Sequence, residues 1–285
     1  MAQGKIGVQM FSLKSKIAEN GITETFRKIK ELGFGCVEIS QVEMSKENVD
    51  EIQRAAEEFG IAVASMTAPL DSMPEYPGES LTRDFDKIVG DCKQLNCRII
   101  RIGMMPIRLM GDKEKAMDYI RDAEAMAERL AEHGIELYYH NHHNEFEKYD
   151  GKFLLDIMRE NTSKLGFELD VHWVHRGGEN PIKLIERFAG RISLLHLKDY
   201  RIGRMEAAEE DFKDMSKFMQ KFLNMVQFAE LGQGSLDIKG IIEAGAASGV
   251  NYFLIEQDDT YGRDPFVCLE ESAEYLRQIG YADWF

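Results

Sequence analysis

One unit recurs along the chain: an amphipathic helix, a glycine, then a short apolar run of strand character. It reads FRKIKELGFGCVEIS over 26–40, IQRAAEEFGIAVASM over 52–66 and AMAERLAEHGIELYYH over 125–140. It returns as TSKLGFELDV over 162–171, IERFAGRISLLHL over 185–197 and IIEAGAASGVNYFLIE over 241–256. Gly33, Gly60, Gly134, Gly166, Gly190 and Gly249 fall where a helix C-cap needs the left-handed conformation, and Asn96 takes that place in CKQLNCRIIRI. With a first strand near 6–11, the pattern predicts eight strands: 6–11, 36–40, 61–67, 98–103, 135–142, 165–171, 192–199 and 252–257. Helices are predicted over 22–32, 47–59, 81–95, 113–133, 151–160, 180–189, 238–248 and 265–279. Asn180-Pro181 marks one start, as an N-cap followed by proline at the first helical position; Ser45 with Asn48 marks another more weakly. Eight strand-then-helix units in a chain of 285 residues predict an α/β protein, a (β/α)8 TIM barrel in a single domain over 1–285. A doubly wound open sheet is the structural alternative, but no GxGxxG follows the first strand.

One connection is too long for the rhythm. Between Lys198 and Ile238 an extra helix is predicted over 205–225, a helical insertion after strand seven. Phe212, Met215, Phe218, Met219 and Phe222 lie along one stripe of it. Packing on the barrel rim is the favoured role, with a lid or a dimer contact as the others. The loop over 69–80 is a second candidate lid.

Composition and charge remove several classes. A net charge of −15 excludes a basic face for nucleic acid. No stretch approaches the roughly 18 apolar residues of a membrane span, and MAQGKIGVQM lacks the apolar core of a signal peptide. Cys36, Cys92, Cys97 and Cys268 form no CxxC pair and are read as reduced thiols. The expected location is therefore cytoplasmic, with no nucleic acid and no membrane as partner.

The chemistry is concentrated at strand ends. IELYYHNHHNE, over 135–145, alternates as a strand and then delivers His140, His142, His143 and Glu145. Alternation puts His140 and His142 on one face and His143 on the other. In a TIM barrel, chemistry is done at the C-terminal ends of the strands. The sixth strand ends in Asp170 and His172, the seventh in His196, Lys198 and Asp199, the eighth in Glu256, Asp258 and Asp259. Imidazoles and carboxylates on successive strands, with no thiolate, suit one divalent ion such as Mn, Co, Mg or Zn.

At this point the sequence resembles the sugar phosphate isomerase/epimerase family of the xylose isomerase-like TIM-barrel superfamily. The resemblance covers nearly the whole chain and rests on GVQMFSL (7–13), YHNHHNEF (139–146), LDVHWVHRGGENP (169–181), HLKD (196–199), FAELGQGSLD (228–237) and IEQDD (255–259). It implies one metal ion at the barrel mouth and a keto or aldehydo sugar as substrate. The ketose 3-epimerases of that superfamily hold the ion with Glu, Asp, His and Glu from strands five to eight. Asp170, His196 and Glu256 match the last three, and His140 stands where the first glutamate is expected. The expected ligands are therefore His140, Asp170, His196 and Glu256. The expected proton-handling groups are Glu256, with Glu145 or His142 supplying the second base. Lys198, Glu38, His172 and Trp173 are expected at the substrate, with Phe11 and His175 as further walls; the Gly232-Gln-Gly234 turn is expected to be a plain turn.

The implied reaction is sugar isomerisation or epimerisation through an enediolate. The runner-up is a related dehydratase or lyase acting on a keto-sugar or 3-keto-glycoside, and a non-catalytic sugar-binding barrel comes third. Endonuclease IV shares the superfamily, but the acidic charge opposes a DNA substrate. Barrels of this kind are often homo-oligomers; no segment of the sequence fixes that state.

Overall fold

The computed structural model describes residues 4–72, 78–205 and 208–285. Eight parallel strands close a barrel: β1 (Lys5–Gln9), β2 (Cys36–Ile39), β3 (Ala62–Thr67), β4 (Ile99–Ile102), β5 (Glu136–His140), β6 (Gly166–Asp170), β7 (Ile192–Leu197) and β8 (Tyr252–Ile255). They follow one another round the barrel in chain order, and β8 pairs with β1. Ten helices intervene among the described residues: α1 (Lys14–Glu31), α2 (Lys46–Phe59), α3 (Phe85–Gln94), α4 (Lys113–Ala131), α5 (Leu154–Glu160), α6 (Val171–Arg176), α7 (Pro181–Arg187), α8 (Met215–Leu223), α9 (Ile238–Ala247) and α10 (Pro265–Leu276). Strands buried on both faces read as apolar runs, as expected where helices cover the outside of the sheet.

The predicted punctuation is largely observed. Asn180 Oδ1 accepts from Lys183 N at 3.1 Å with Pro181 at the first helical position, and Ser45 Oγ accepts from Asn48 N at 3.3 Å. Gly33, Gly60, Gly134, Gly190 and Gly249 all have positive φ, and Asn96 adopts φ 49°. Gly166 does not. It opens β6, and a Cβ there would meet the Tyr138 ring at 2.5 Å, so its glycine answers to its register partner on the adjacent strand β5. Helix α1 begins eight residues before its predicted start and is broken at Gly21, where φ is 83°.

The insertion after β7 is built differently from the predicted helix. Asp199–Ile202 and Val226–Ala229 form an antiparallel ribbon, and α8, capped by Asp214, lies in the connection between its two strands. Rim packing is not what its stripe does. No residue of α8 is buried; Phe212 is 58% exposed, Met215 71% and Phe222 52%. Residues 206–207 of that predicted helix, and 73–77 of the predicted lid loop, lie outside the described residues.

Strand periodicity stacks the barrel interior in layers. Cys36, Ala64, Ile99, Tyr138, Leu194 and Leu254 form a small apolar cluster of their own. Gly7 belongs to that level, and a Cβ on it would come within 2.5 Å of Cys36 Sγ. Two residues further along the strands, Gln9, Glu38, Arg101, His140, Glu168, His196 and Glu256 form the layer above, all of them buried. The polar site therefore sits on an apolar floor, toward the C-terminal ends of the strands.

Candidate metal centre and cavity

Each expected ligand is delivered by a strand end and oriented by a neighbour. Asp170 is the N-cap of α6: its Oδ1 accepts from Trp173 N at 3.0 Å, which leaves Oδ2 to face the barrel interior. Its backbone N–H donates to Asn141 Oδ1 at 3.1 Å, tying β6 to the end of β5. Glu256 accepts from Gln9 Nε2 on Oε1 at 3.1 Å, and Oε2 lies 2.8 Å from His196 Nδ1. His196 Nε2 lies 3.1 Å from Glu38 Oε1 and 3.2 Å from Glu168 Oε1. Arg101 Nε sits 2.6 Å from Glu38 Oε1 and 3.3 Å from Glu168 Oε2. Ser65 donates its hydroxyl to Glu38 as well.

His140, Asp170, His196 and Glu256 come together as expected. Each offers a ligand atom, these atoms lie within 4.8 Å of one another, and all four residues are buried. The donor set fits a divalent ion in two further respects. Asp170 Oδ2, His196 Nδ1 and Glu256 Oε2 are buried and make ion-pair contacts, with Lys198 or with one another, in place of directed hydrogen bonds. Four buried carboxylates (Glu38, Glu168, Asp170 and Glu256) also surround the centre, with Arg101, Lys198 and the His196 imidazole among them. Burial, then the neighbouring His196 and Arg101, hold the His140 pKa well below its usual value, so its ring keeps a lone pair to offer. At His196 the carboxylates of Glu168, Glu256 and Glu38 outweigh burial and raise the pKa. Glu38 and Glu168 share one charge budget. Burial raises both, but Arg101 and then His196 overcome it at Glu38, lowering it to about 2, whereas Glu168 rises to about 7 through burial and the charge of Glu38.

Above this centre opens a cavity of about 660 Å³, lined on its polar side by Gln9, Arg101, His140, His142, Lys198, Glu256 and Asp258. Lys198 is buried and bridges three carboxylates: Asp170 Oδ2 at 3.1 Å, Glu256 Oε2 at 2.7 Å and Asp258 Oδ1 at 2.8 Å. His142 lines the cavity beside His140, with ring centroids 4.9 Å apart, and burial pushes its pKa down to about 3. His143 instead faces a second depression with Phe146 and Arg176, as alternation requires.

Several expected residues are placed elsewhere. Glu145 does not line the cavity. It is fully buried, with Oε1 accepting from Tyr139 Oη at 2.6 Å and Oε2 from His142 N at 2.8 Å, so it fixes the loop that presents His142. Glu38 lies below the cavity, committed to Arg101, Ser65 and His196. His172 and Trp173 are also outside the lining: they pack with each other and with Phe228, and the Trp173 ring rests against His142 and His143. His175 is exposed and pairs with Tyr200 Oη at 2.9 Å, whereas Phe11 does line the cavity. Asp199 turns away from the centre. Its carboxylate accepts from the backbone N–H groups of Gly232, Gly234 and Leu236, so the Gly232-Gln-Gly234 segment is a turn wrapped around it.

Arg101 and Glu168 were not anticipated, although signals for both exist. Glu168 precedes Asp170 by two positions and so shares its strand face; Arg101 is a lone charge inside the apolar run IIRI, which demands a buried partner.

The profile of the xylose isomerase-like TIM barrel family matches residues 26–284, and the chain belongs to that family. An inosose dehydratase from Lacticaseibacillus casei is 26% identical over 155 residues, 54% of this chain and 51% of that protein. A rhizopine catabolism protein from Rhizobium meliloti is 32% identical over 154 residues, 53% of this chain and 45% of that protein. The chain spans about half the length of these curated relatives. Among solved structures, a sugar phosphate isomerase/epimerase from Parabacteroides distasonis superposes with a TM-score of 0.76 at 20% identity, covering 98% of this chain and 99% of that one. No helix among the described residues is long and apolar enough to cross a membrane.

Proposed function

We propose that the protein is a divalent-metal-dependent sugar isomerase or epimerase that removes and returns a proton next to a substrate carbonyl. The observation that carries this reading is the convergence of His140, Asp170, His196 and Glu256, from four successive strands, with His140 and Glu256 lining the cavity. A bound ion, whether Mn, Co, Mg or Zn, supplies Lewis-acid polarisation of the carbonyl and so acidifies the neighbouring C–H. The rest is the work of side chains. Glu256 and His142 both face the cavity, one a carboxylate held low by Lys198 and His196 against its burial, the other a neutral imidazole. They are the two groups placed to take and return the proton, at Glu256 Oε2 and at a ring nitrogen of His142. Lys198 is held by Asp170, Glu256 and Asp258 and serves to keep Glu256 ionised beside the substrate. Gln9 and Asp170 hold their partners' orientation.

A second reading is dehydration, favoured by the inosose dehydratase among the relatives. It shares the first proton removal and differs in expelling a hydroxyl from the next carbon instead of returning the proton.

Metal analysis by mass spectrometry tests the centre. About one ion per chain is expected in the wild type, with loss in His196→Ala; no ion in either, even after incubation with Mn²⁺, rejects the mechanism. Incubation of the loaded protein with ketoses and inososes in D₂O separates the two readings. Deuterium in an isomeric sugar supports isomerisation, and a product lighter by one water supports dehydration.

A further inference from the structure

We infer that the cavity takes an uncharged sugar or cyclitol and turns away the corresponding phosphate ester. This rests on the reading of the centre given above and names the substrate class it serves.

Phosphate recognition needs donors that are free to meet a dianion: an arginine fork, a lysine, or a row of backbone N–H groups at a helix start. Among the described residues, three cationic side chains line the cavity, Arg83, Arg101 and Lys198, and each is already engaged. Arg83 pairs with Asp84 Oδ2 at 2.9 Å and donates to Gly78 O at 2.8 Å. Arg101 lies between Glu38 and Glu168, and Lys198 among Asp170, Glu256 and Asp258. Releasing any one of them to a phosphate would strip a carboxylate of its partner, and for the two buried cations that penalty is large.

The lining also carries five carboxylates, from Glu43, Glu79, Asp91, Glu256 and Asp258. Glu79 and Asp91 are paired with Lys87, which does not itself line the cavity. A phosphate monoester brings about −1.5 to −2 charges at neutral pH into this acidic surround. Apart from neutral polar groups such as Ser40, Gln41 and Thr67, which suit sugar hydroxyls, the remaining wall is apolar, with Phe11, Val42, Met44, Met66, Pro69 and Met104. Such a wall contacts the C–H faces of a ring and offers nothing to a charged group. At the start of α2, the helix that begins beside the cavity, Ser45 Oγ already takes one of the first-turn N–H groups, that of Asn48.

The test measures dissociation constants by calorimetry on the Mn²⁺-loaded full chain, using matched pairs as probes: D-fructose with D-fructose 6-phosphate, and myo-inositol with myo-inositol 1-phosphate. Inorganic phosphate is run separately, to show any ligation of the ion by phosphate alone. The neutral member is expected to bind at least tenfold more tightly in a pair that binds. Tighter binding of the ester, equal affinity, or no binding of either member in both pairs overturns the inference. Glu43→Lys reverses one charge at the mouth and is expected to narrow the gap severalfold; an unchanged gap refutes the electrostatic account. Failure of the metal centre would appear independently, in the ion content of the same preparation.

Discussion

Glu38 shows how a residue that touches no substrate can still govern a site. It is buried, receives Ser65 and Arg101, and stands 3.1 Å from His196 Nε2. A carboxylate on the far nitrogen of a ligating imidazole fixes its tautomer and ring angle and raises its basicity. Glu38→Gln keeps the shape and removes the charge, so metal affinity should fall by about 10- to 100-fold while the fold persists. Titration with Mn²⁺, together with circular dichroism, checks both halves; unchanged affinity would reduce Glu38 to a barrel buttress. At this scale the sequence was readable where chemistry and position coincided. His140, Asp170, His196 and Glu256 each lie at or beside a strand end, so periodicity put them at one mouth among other metal-capable groups, and the family resemblance singled them out as the ligand set. Glu145 was misplaced because its loop position says nothing about direction, and Tyr139 Oη and the His142 N–H, its partners in the fold, claim both its oxygens. His172 and Trp173 follow Asp170 into α6, where helical turning carries them away from the face of β6 and into an aromatic group with Phe228.

Elements were legible to the extent that their surroundings repeat. The eight strands and their flanking helices recur with glycine or asparagine stops, and the boundaries fall within a few residues of the pattern except at α1, which starts eight residues early. The insertion after β7 has no repeat to calibrate it. Its apolar stripe at helical spacing implied a packed face, yet periodicity reports amphipathicity and not what lies opposite. The ribbon Asp199–Ile202 with Val226–Ala229 holds α8 so that Met215 and Leu223 remain 71% and 66% exposed. The double variant Met215→Ser/Leu223→Ser should therefore leave the stability of the chain within about 0.5 kcal/mol of wild type, as for surface changes that break no buried contact. Urea unfolding followed by tryptophan fluorescence measures this. A loss of several kcal/mol would mean that the stripe is covered.

The barrel as a whole carries an electrostatic debt at its mouth. Glu38, Glu168, Asp170 and Glu256 are buried together, with Arg101 and Lys198 as their fixed counter-charges. Buried charge without full compensation opposes folding, and a protein that is acidic overall, at −15, adds to the opposition. A dication that binds the folded centre, and not the unfolded chain, relieves this by mass action. At a free concentration about 100 times the dissociation constant, the gain is about 2.7 kcal/mol. For a chain of this size that is roughly 4–5 °C in the unfolding midpoint. Thermal unfolding in Mn²⁺ and in EDTA should therefore differ by that amount for the wild type and hardly at all for His196→Ala, which lacks one of the four donors. The variant is also informative without metal. Removing His196 takes away the imidazole that stands between Glu256 and the Glu38–Glu168 pair, so its midpoint in EDTA should fall below that of the wild type in EDTA. If the wild-type midpoints in Mn²⁺ and EDTA coincide, the four residues form an ion-paired cluster stabilised by Lys198 and Arg101 alone, and the centre does not bind metal.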